Sequence, residues 1–199
     1  LPDPERVAAG LGPLPTGAPG RIYLSIHFGA VELGAMYAAT VGHLPVAGPM
    51  ETVANPAMQA YFERTRRALG IGIMPLAGAG PVMKRRLLDG QAVGVVADRV
   101  VGSGGARVTL FGAPARIPSG PAILAVETGA TLSFVSLQRA GRGRWIGRLE
   151  EAATPPADAT HRQRIEALIG DHVRWIERTV AAAPEQWWSL LFPIWTEGS

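Results

Sequence analysis

The chain contains no cysteine. Disulfides, thiolate metal sites and a cysteine nucleophile are therefore excluded. Lysine is nearly absent too: Lys84 stands alone, and arginine supplies almost all the positive charge. No apolar run reaches the ~18 residues needed to cross a bilayer as a helix. No secretory signal pattern is visible in the first residues. Charge is scarce, at 18% of residues, against 47% hydrophobic residues. That balance describes a globular chain with a substantial core, and 199 residues suit one domain. The formal net charge is +3 and the isoelectric point about 9.9. A mild basic excess suits anionic lipid surfaces, phosphorylated cofactors or acidic carrier proteins. The basic stretches lack interleaved aromatics, so nucleic acid is not an expected partner.

Apolar runs alternate with amphipathic stretches. Residues 1–20, rich in Pro and Gly, read as a loop or the remnant of a longer N-terminal region. Residues 21–199 read as one domain. Strands are expected at Ile22–Ile26, Leu44–Gly48, Ile71–Leu76, Ala92–Ala97, Arg107–Phe111, Thr131–Leu137 and Trp145–Leu149. Pro45 would restrict the second of these to a sheet edge or a bulge. Helices are expected at Ala30–Thr40, from Pro56 to Leu69, at Pro81–Leu88, at Ser119–Thr128, and from a cap at Asp158 to about Ala183. Asn55-Pro56 is a helix-start signal, with Met58, Tyr61, Phe62, Thr65 and Leu69 on one face. The last helix places Ile165, Leu168, Ile169, His172, Ile176 and Val180 on its inner face. The alternation implies an α/β layered domain with a central, mostly parallel (mixed) sheet flanked by helices.

His27-Phe28-Gly29-Ala30-Val31-Glu32 is the sharpest feature. His27 follows an apolar strand, and active residues of open α/β sheets gather beyond the C-terminal strand ends. Glu32, in the first turn of the next helix, is placed to accept the proton on one ring nitrogen. It would thereby fix the tautomer and leave the other nitrogen as a general base. The helix start also offers N–H groups for a developing oxyanion. A loop histidine followed by an acid that complements the helix dipole has the same local pattern. Asp98 and Arg99 end a second buried run and are expected at the same cleft, where they could orient substrate or bind phosphate.

Further residues make the pattern specific. They are Ala97-Asp98-Arg99 with Ser103-Gly104, Leu110-Phe111-Gly112, Arg116 through Ala122, Thr128-Gly129-Ala130, and Pro184-Glu185-Gln186-Trp187-Trp188. With the His27–Glu32 motif, their order and spacing resemble the bacterial lysophospholipid and lipid A acyltransferase superfamily. The likeness covers residues 22–195 and is closest to the phosphatidylinositol mannoside acyltransferases. It implies a glycerol-3-phosphate acyltransferase-like fold and an acyl-CoA or acyl-carrier-protein donor, with no cofactor and no metal. It implies a membrane glycolipid acceptor and a peripheral location on the cytoplasmic face of the inner membrane. It also implies that His27 and Glu32 work as a pair and that Asp98 orients or relays. Arg64 or Arg67 falls where the family often has a substrate-binding arginine, with Arg99, Ser119 and Gly120 as further binding candidates. Glu32 stands where the mannoside branch commonly has Asp.

Two other functions use the same features: a thioesterase or lipid hydrolase with water as acceptor, and a non-catalytic lipid-binding module. Other motifs have plainer explanations. His172 suits a satisfied core histidine, and Lys84-Arg85-Arg86 a solvated helix face. Trp187, Trp188, Leu190, Leu191, Phe192 and Trp195 suit core packing or an interfacial anchor.

Overall fold

Ile22 and Leu24 are almost completely buried, and Tyr23 between them is buried in a different cluster. Successive strand side chains point to opposite faces, so the strand carrying them is covered on both sides. A computed structural model describes residues 19–102, 104–188 and 194–195 of the chain. Its elements run in the order β1 (Arg21–Ser25), α1 (Val31–Thr40), β2 (Ala47–Met50), α2 (Pro56–Ala68), β3 (Gly72–Pro75), α3 (Ala79–Leu88), β4 (Ala92–Val96), β5 (Ala106–Leu110), β6 (Ala113–Ile117), α4 (Gly120–Thr128), β7 (Thr131–Gly141), β8 (Arg144–Glu151) and α5 (His161–Ala182). A single 3₁₀ turn, Pro184–Gln186, follows. The N-terminal stretch expected to be a loop falls almost wholly outside the described residues, as do Ser103, Leu190, Leu191 and Phe192.

Six strands form the main sheet in the order β3-β2-β4-β1-β7-β8. All neighbours are parallel except the β7–β8 hairpin at one edge. The expected α/β layered architecture with a mostly parallel sheet is therefore present. One large apolar cluster joins Ile22 and Leu24 of β1, Val93 of β4 and Phe134 of β7 to Leu87 of α3, Leu124 of α4, and Trp175 and Ile176 of α5. A smaller cluster on the other face joins Tyr23 to Ala38 of α1 and to Leu44 and Val46. Burying each large side chain of this kind contributes roughly 1.5–3 kcal/mol.

Several expected features shift, each for a local reason. β2 begins at Ala47, beyond Pro45, and lies inside the sheet and not at its edge. Its ladder to β4 is confined to Ala47 opposite Val93, so Pro49 lacks an N–H only where that pairing has already ended. A β-carbon on Gly48 would come within 2.4 Å of the Gly94 carbonyl oxygen, so glycine sets this strand spacing. Ala113–Ile117, disguised by Pro114, is a strand paired with β5 in a separate two-stranded sheet. The turn between them has positive φ at both Phe111 and Gly112, as a two-residue hairpin of this hand requires. α2 starts where expected: Asn55 Oδ1 accepts from the Ala57 and Met58 N–H groups at 2.9 and 3.2 Å. Its apolar face is not buried, however, and Met58 and Tyr61 are about half exposed. α5 is capped by Thr160 in a reciprocal capping box with Gln163, not by Asp158. Its inner face includes Trp175, which the periodicity had left out.

Candidate active site

Parallel strands in register place the residues that follow them side by side. Ser25 of β1 is opposite Val96 of β4, and the Ala97 N–H donates to the Ser25 carbonyl at 2.8 Å. His27 and Asp98 each lie two residues past that pair. The His27 ring Nδ1 is 2.6 Å from Asp98 Oδ1, and the His27 backbone N–H donates to Asp98 Oδ2 at 2.9 Å. The Trp187 indole Nε1–H donates to the same Oδ2 at 3.0 Å. The Asp98 side chain is fully buried, whereas the His27 side chain is 28% exposed. A carboxylate is thus locked inside and an imidazole presented outward.

Burial by itself would push the Asp98 carboxyl up. The hydrogen bond and charge of the His27 ring, the Trp187 indole N–H and the His27 backbone N–H together outweigh it and hold the carboxyl below its ordinary value. Asp98 is accordingly a carboxylate at neutral pH and an acceptor for a proton on Nδ1.

Glu32 is elsewhere. It sits in the first turn of α1 but pairs with the Arg66 guanidinium of α2. The sequence-based pairing of His27 with Glu32 is therefore corrected: Asp98 is the carboxylate on the ring, and Glu32 bridges α1 to α2. The turn between β1 and α1 explains why. Gly29 has φ +56, and a β-carbon there would lie 2.0 Å from the Leu137 carbonyl oxygen. The chain threads this narrow gap and α1 leaves with Glu32 exposed. The Gly29 N–H donates to Gln186 at 2.9 Å and the Ala30 N–H to Leu137 at 3.0 Å. These two bonds fix the turn that leads into α1.

An apolar cavity opens beside this step. It is walled by Val31, Ala35 and Ala38 of α1 and by the cavity-facing residues of β1 to β4, including Ser25 and Val96. Glu32 and Arg66 are its charged members. Arg66 also lies over the Phe62 ring, 5.4 Å from its centroid. Arg64 and Arg67, named above as candidate substrate-binding arginines, do not line this cavity. Arg64 lies over Tyr61, and Arg67 pairs with Glu63 at 3.2 Å. Arg66, which the sequence did not single out, is the arginine that lines the cavity, one helical position from Arg67. Arg99 follows Asp98 and pairs with Glu51 beyond β2. Ser119 and Gly120 start α4, and the Ser119 side chain makes no cap bond. Lys84 and Arg85 pair with Glu127 and Asp89, in keeping with a solvated face.

His172 is a core histidine, but not a satisfied one. Its ring stacks on Phe134 at 5.8 Å, and its Nε2 has no hydrogen-bond partner among the described residues. Burial pulls it down to about 4, against the opposing charges of Asp98 and Asp171.

Residues 18–195 match the family model described as bacterial lipid A biosynthesis acyltransferase. The chain belongs to this family. Among similar proteins of the family is the phosphatidylinositol mannoside acyltransferase of Mycolicibacterium smegmatis, 31% identical over 156 residues, which are 74% of this chain and 49% of that protein. The protein of the same name from Mycobacterium tuberculosis is 34% identical over 134 residues, 65% of this chain and 40% of that one. This acyltransferase-family chain thus spans about half the length of the curated relatives it matches. The match runs through both His27 and Asp98 and reaches Trp195. No helix among the described residues is long and apolar enough to cross a membrane.

Proposed function

We propose that this domain transfers a fatty acyl group from a thioester to a hydroxyl of a membrane glycolipid, with His27 as general base and Asp98 as the carboxylate that orients it. The observation that carries this is the 2.6 Å contact between a buried carboxylate and a partly exposed imidazole just past two strands whose last residues, Ser25 and Val96, line an apolar cavity. Asp98 accepts the Nδ1–H bond, so the other ring nitrogen is the base. That nitrogen takes the proton from the acceptor hydroxyl as its oxygen attacks the thioester carbonyl. A C–O bond forms, and the carbonyl becomes a tetrahedral oxyanion. Asp98 stabilises the imidazolium that results, in the manner general to such pairs. Collapse breaks the C–S bond, and the imidazolium returns its proton to the departing thiolate. The products are an ester and a thiol, and His27 is restored.

The cavity supports a fatty acyl substrate, since its walls are mostly alkyl groups from α1 and the sheet. Family membership supports an acyl-CoA or acyl-carrier-protein donor. The mannoside acyltransferase relatives favour a phosphatidylinositol mannoside-like acceptor. Such an acceptor calls for peripheral attachment at the cytoplasmic face of the inner membrane. Glu32 serves by holding Arg66 at the cavity, not by touching the ring.

The test is acyl transfer from a radiolabelled acyl thioester to glycolipid by purified wild type and His27→Ala. The variant is expected to fold, as judged by circular dichroism, and to lose transfer to background. Transfer at the wild-type rate in the folded variant would refute the general-base role. Free fatty acid released at a rate independent of added glycolipid would instead indicate hydrolysis.

A further inference from the structure

Trp187 does more than fill space. It is buried, and its ring packs against Phe111 and edge-on to Trp195 at centroid distances of 6.0 and 5.7 Å. Packing of that kind needs no N–H. Yet the indole N–H points at Asp98 Oδ2, on the same oxygen that accepts from the His27 backbone. The two donors hold one carboxylate oxygen, which leaves Oδ1 aimed at the His27 ring. Without the indole, both remaining bonds to Asp98 would come from His27 itself, and no group outside that residue would fix the carboxylate's rotation about its Cβ–Cγ bond.

The same segment also grips the histidine turn. The Trp188 N–H donates to the His27 carbonyl at 2.8 Å, and the Gly29 N–H donates to the Gln186 carbonyl at 2.9 Å. Phe28 and Trp187 form an antiparallel bridge between these bonds. Gln186 is anchored in turn by both ends of its side-chain amide on the Arg139 backbone, at 2.7 and 3.0 Å. One short stretch thus binds the base's turn through main-chain groups and the orienting carboxylate through a side chain.

We infer that Trp187 is a positioning residue for acyl transfer, its indole N–H fixing the Asp98 carboxylate against His27 while residues 186–188 clamp the turn that carries the base. This rests on the general-base role given to His27. Two variants test it: Trp187→Phe, and replacement of Trp187 by 3-benzothienylalanine, which keeps the ring shape and exchanges N–H for sulfur. The second decides the matter if the first does not fold. Removing the outer hydrogen-bond partner that orients a metal-bound histidine lowers activity by about 10–100-fold, and a fall of the same order is expected for the His27–Asp98 pair. The expected result is a fall of that size in kcat with the thioester KM within about twofold of wild type, since the N–H touches no substrate.

A change in the pH profile separates positioning from bulk support. With one donor gone, more negative charge faces the Nδ1–H, and the acid limb of kcat/KM moves to higher pH. His172, a second titratable group that the Asp98 charge reaches, is held at about 4 and is neutral at the pH of the assay. Wild-type kcat in the benzothienyl variant overturns the inference. So does a lower kcat with an unmoved acid limb in a folded variant, which would mark a structural role alone. If His27→Ala keeps its activity, the general-base reading itself fails. If His27→Ala is dead and the Trp187 variants are not, only the positioning role fails.

Discussion

The His27 ring is bonded to Asp98, 71 residues away in the chain, while Glu32 in the first turn of the adjoining helix is bonded to Arg66 instead. The two acids therefore do different work. One sits fully buried under the ring, and the other is 64% exposed at the rim of the apolar cavity. Substitutions should separate them. Glu32→Gln removes the partner of Arg66 and loosens α2 against α1. It is expected to raise the KM for the thioester by about two- to fivefold, the range of a lost exposed ion pair, and to leave the acid limb of kcat/KM in place. A pH–rate profile of the purified variant checks this, and a displaced acid limb would put Glu32 back on the ring.

Ala35 lines the cavity from α1. A larger side chain there would occupy the space assigned to the acyl chain. Ala35→Phe is expected to cut kcat/KM for long-chain thioesters by about tenfold or more, with short-chain donors affected less, since each methylene excluded forfeits about 0.8 kcal/mol. Competition between donors of different length, read by mass spectrometry of the products, measures the shift.

Much of this site was legible in the sequence, and the part that was not follows from chain geometry. His27 and Asp98 both end apolar runs, so a parallel sheet was bound to bring them to one rim. Which acid meets the ring was not legible, because sequence proximity favours Glu32 whereas the register of β1 and β4 favours Asp98. Arg66 was hidden for a related reason: the apolar period of α2 groups Met58, Tyr61, Phe62, Thr65 and Leu69, but no residue of α2 is fully buried, so that stripe did not mark which arginine turns inward. β6 was missed because Pro114 looks like a strand breaker, yet it sits in a two-stranded hairpin opposite Thr109. Trp187 read as one of several C-terminal aromatics, and its hydrogen bond spans 89 residues that no local pattern connects.

His172 gives a pH dependence of stability whose sign can be worked out. Its folded value of about 4 lies below the ordinary 6.5, because burial disfavours the charged ring. Between those values the unfolded chain binds the proton and the folded chain does not, so stability falls as pH drops through the window. Chemical denaturation at pH 7 and pH 5 is expected to show a loss in wild type that His172→Phe reduces. An equal loss in both proteins would mean that this ring does not set the acid limit.

Gly29 should tolerate no side chain. Its φ of +56 alone costs a substituted residue roughly 1–3 kcal/mol. The collision of a β-carbon with the Leu137 carbonyl adds to that and would push the His27 turn off the sheet. Gly29→Ala is expected to lower the denaturation midpoint and to abolish transfer, whereas Gly80→Ala, where a β-carbon meets nothing within 4 Å, is expected to do neither. Urea melts of the two variants side by side make the comparison.

The pairing of Asp98 with His27 is tested most directly by the rate of acyl transfer in Asp98→Asn. An amide in place of the carboxylate keeps the volume but can favour the wrong ring tautomer and cannot stabilise the imidazolium, a change that costs on the order of 10⁴-fold in kcat where a carboxylate supports a catalytic histidine. The account predicts a fall of roughly 10³–10⁴-fold in a protein that still folds. Transfer within a few-fold of wild type would contradict it.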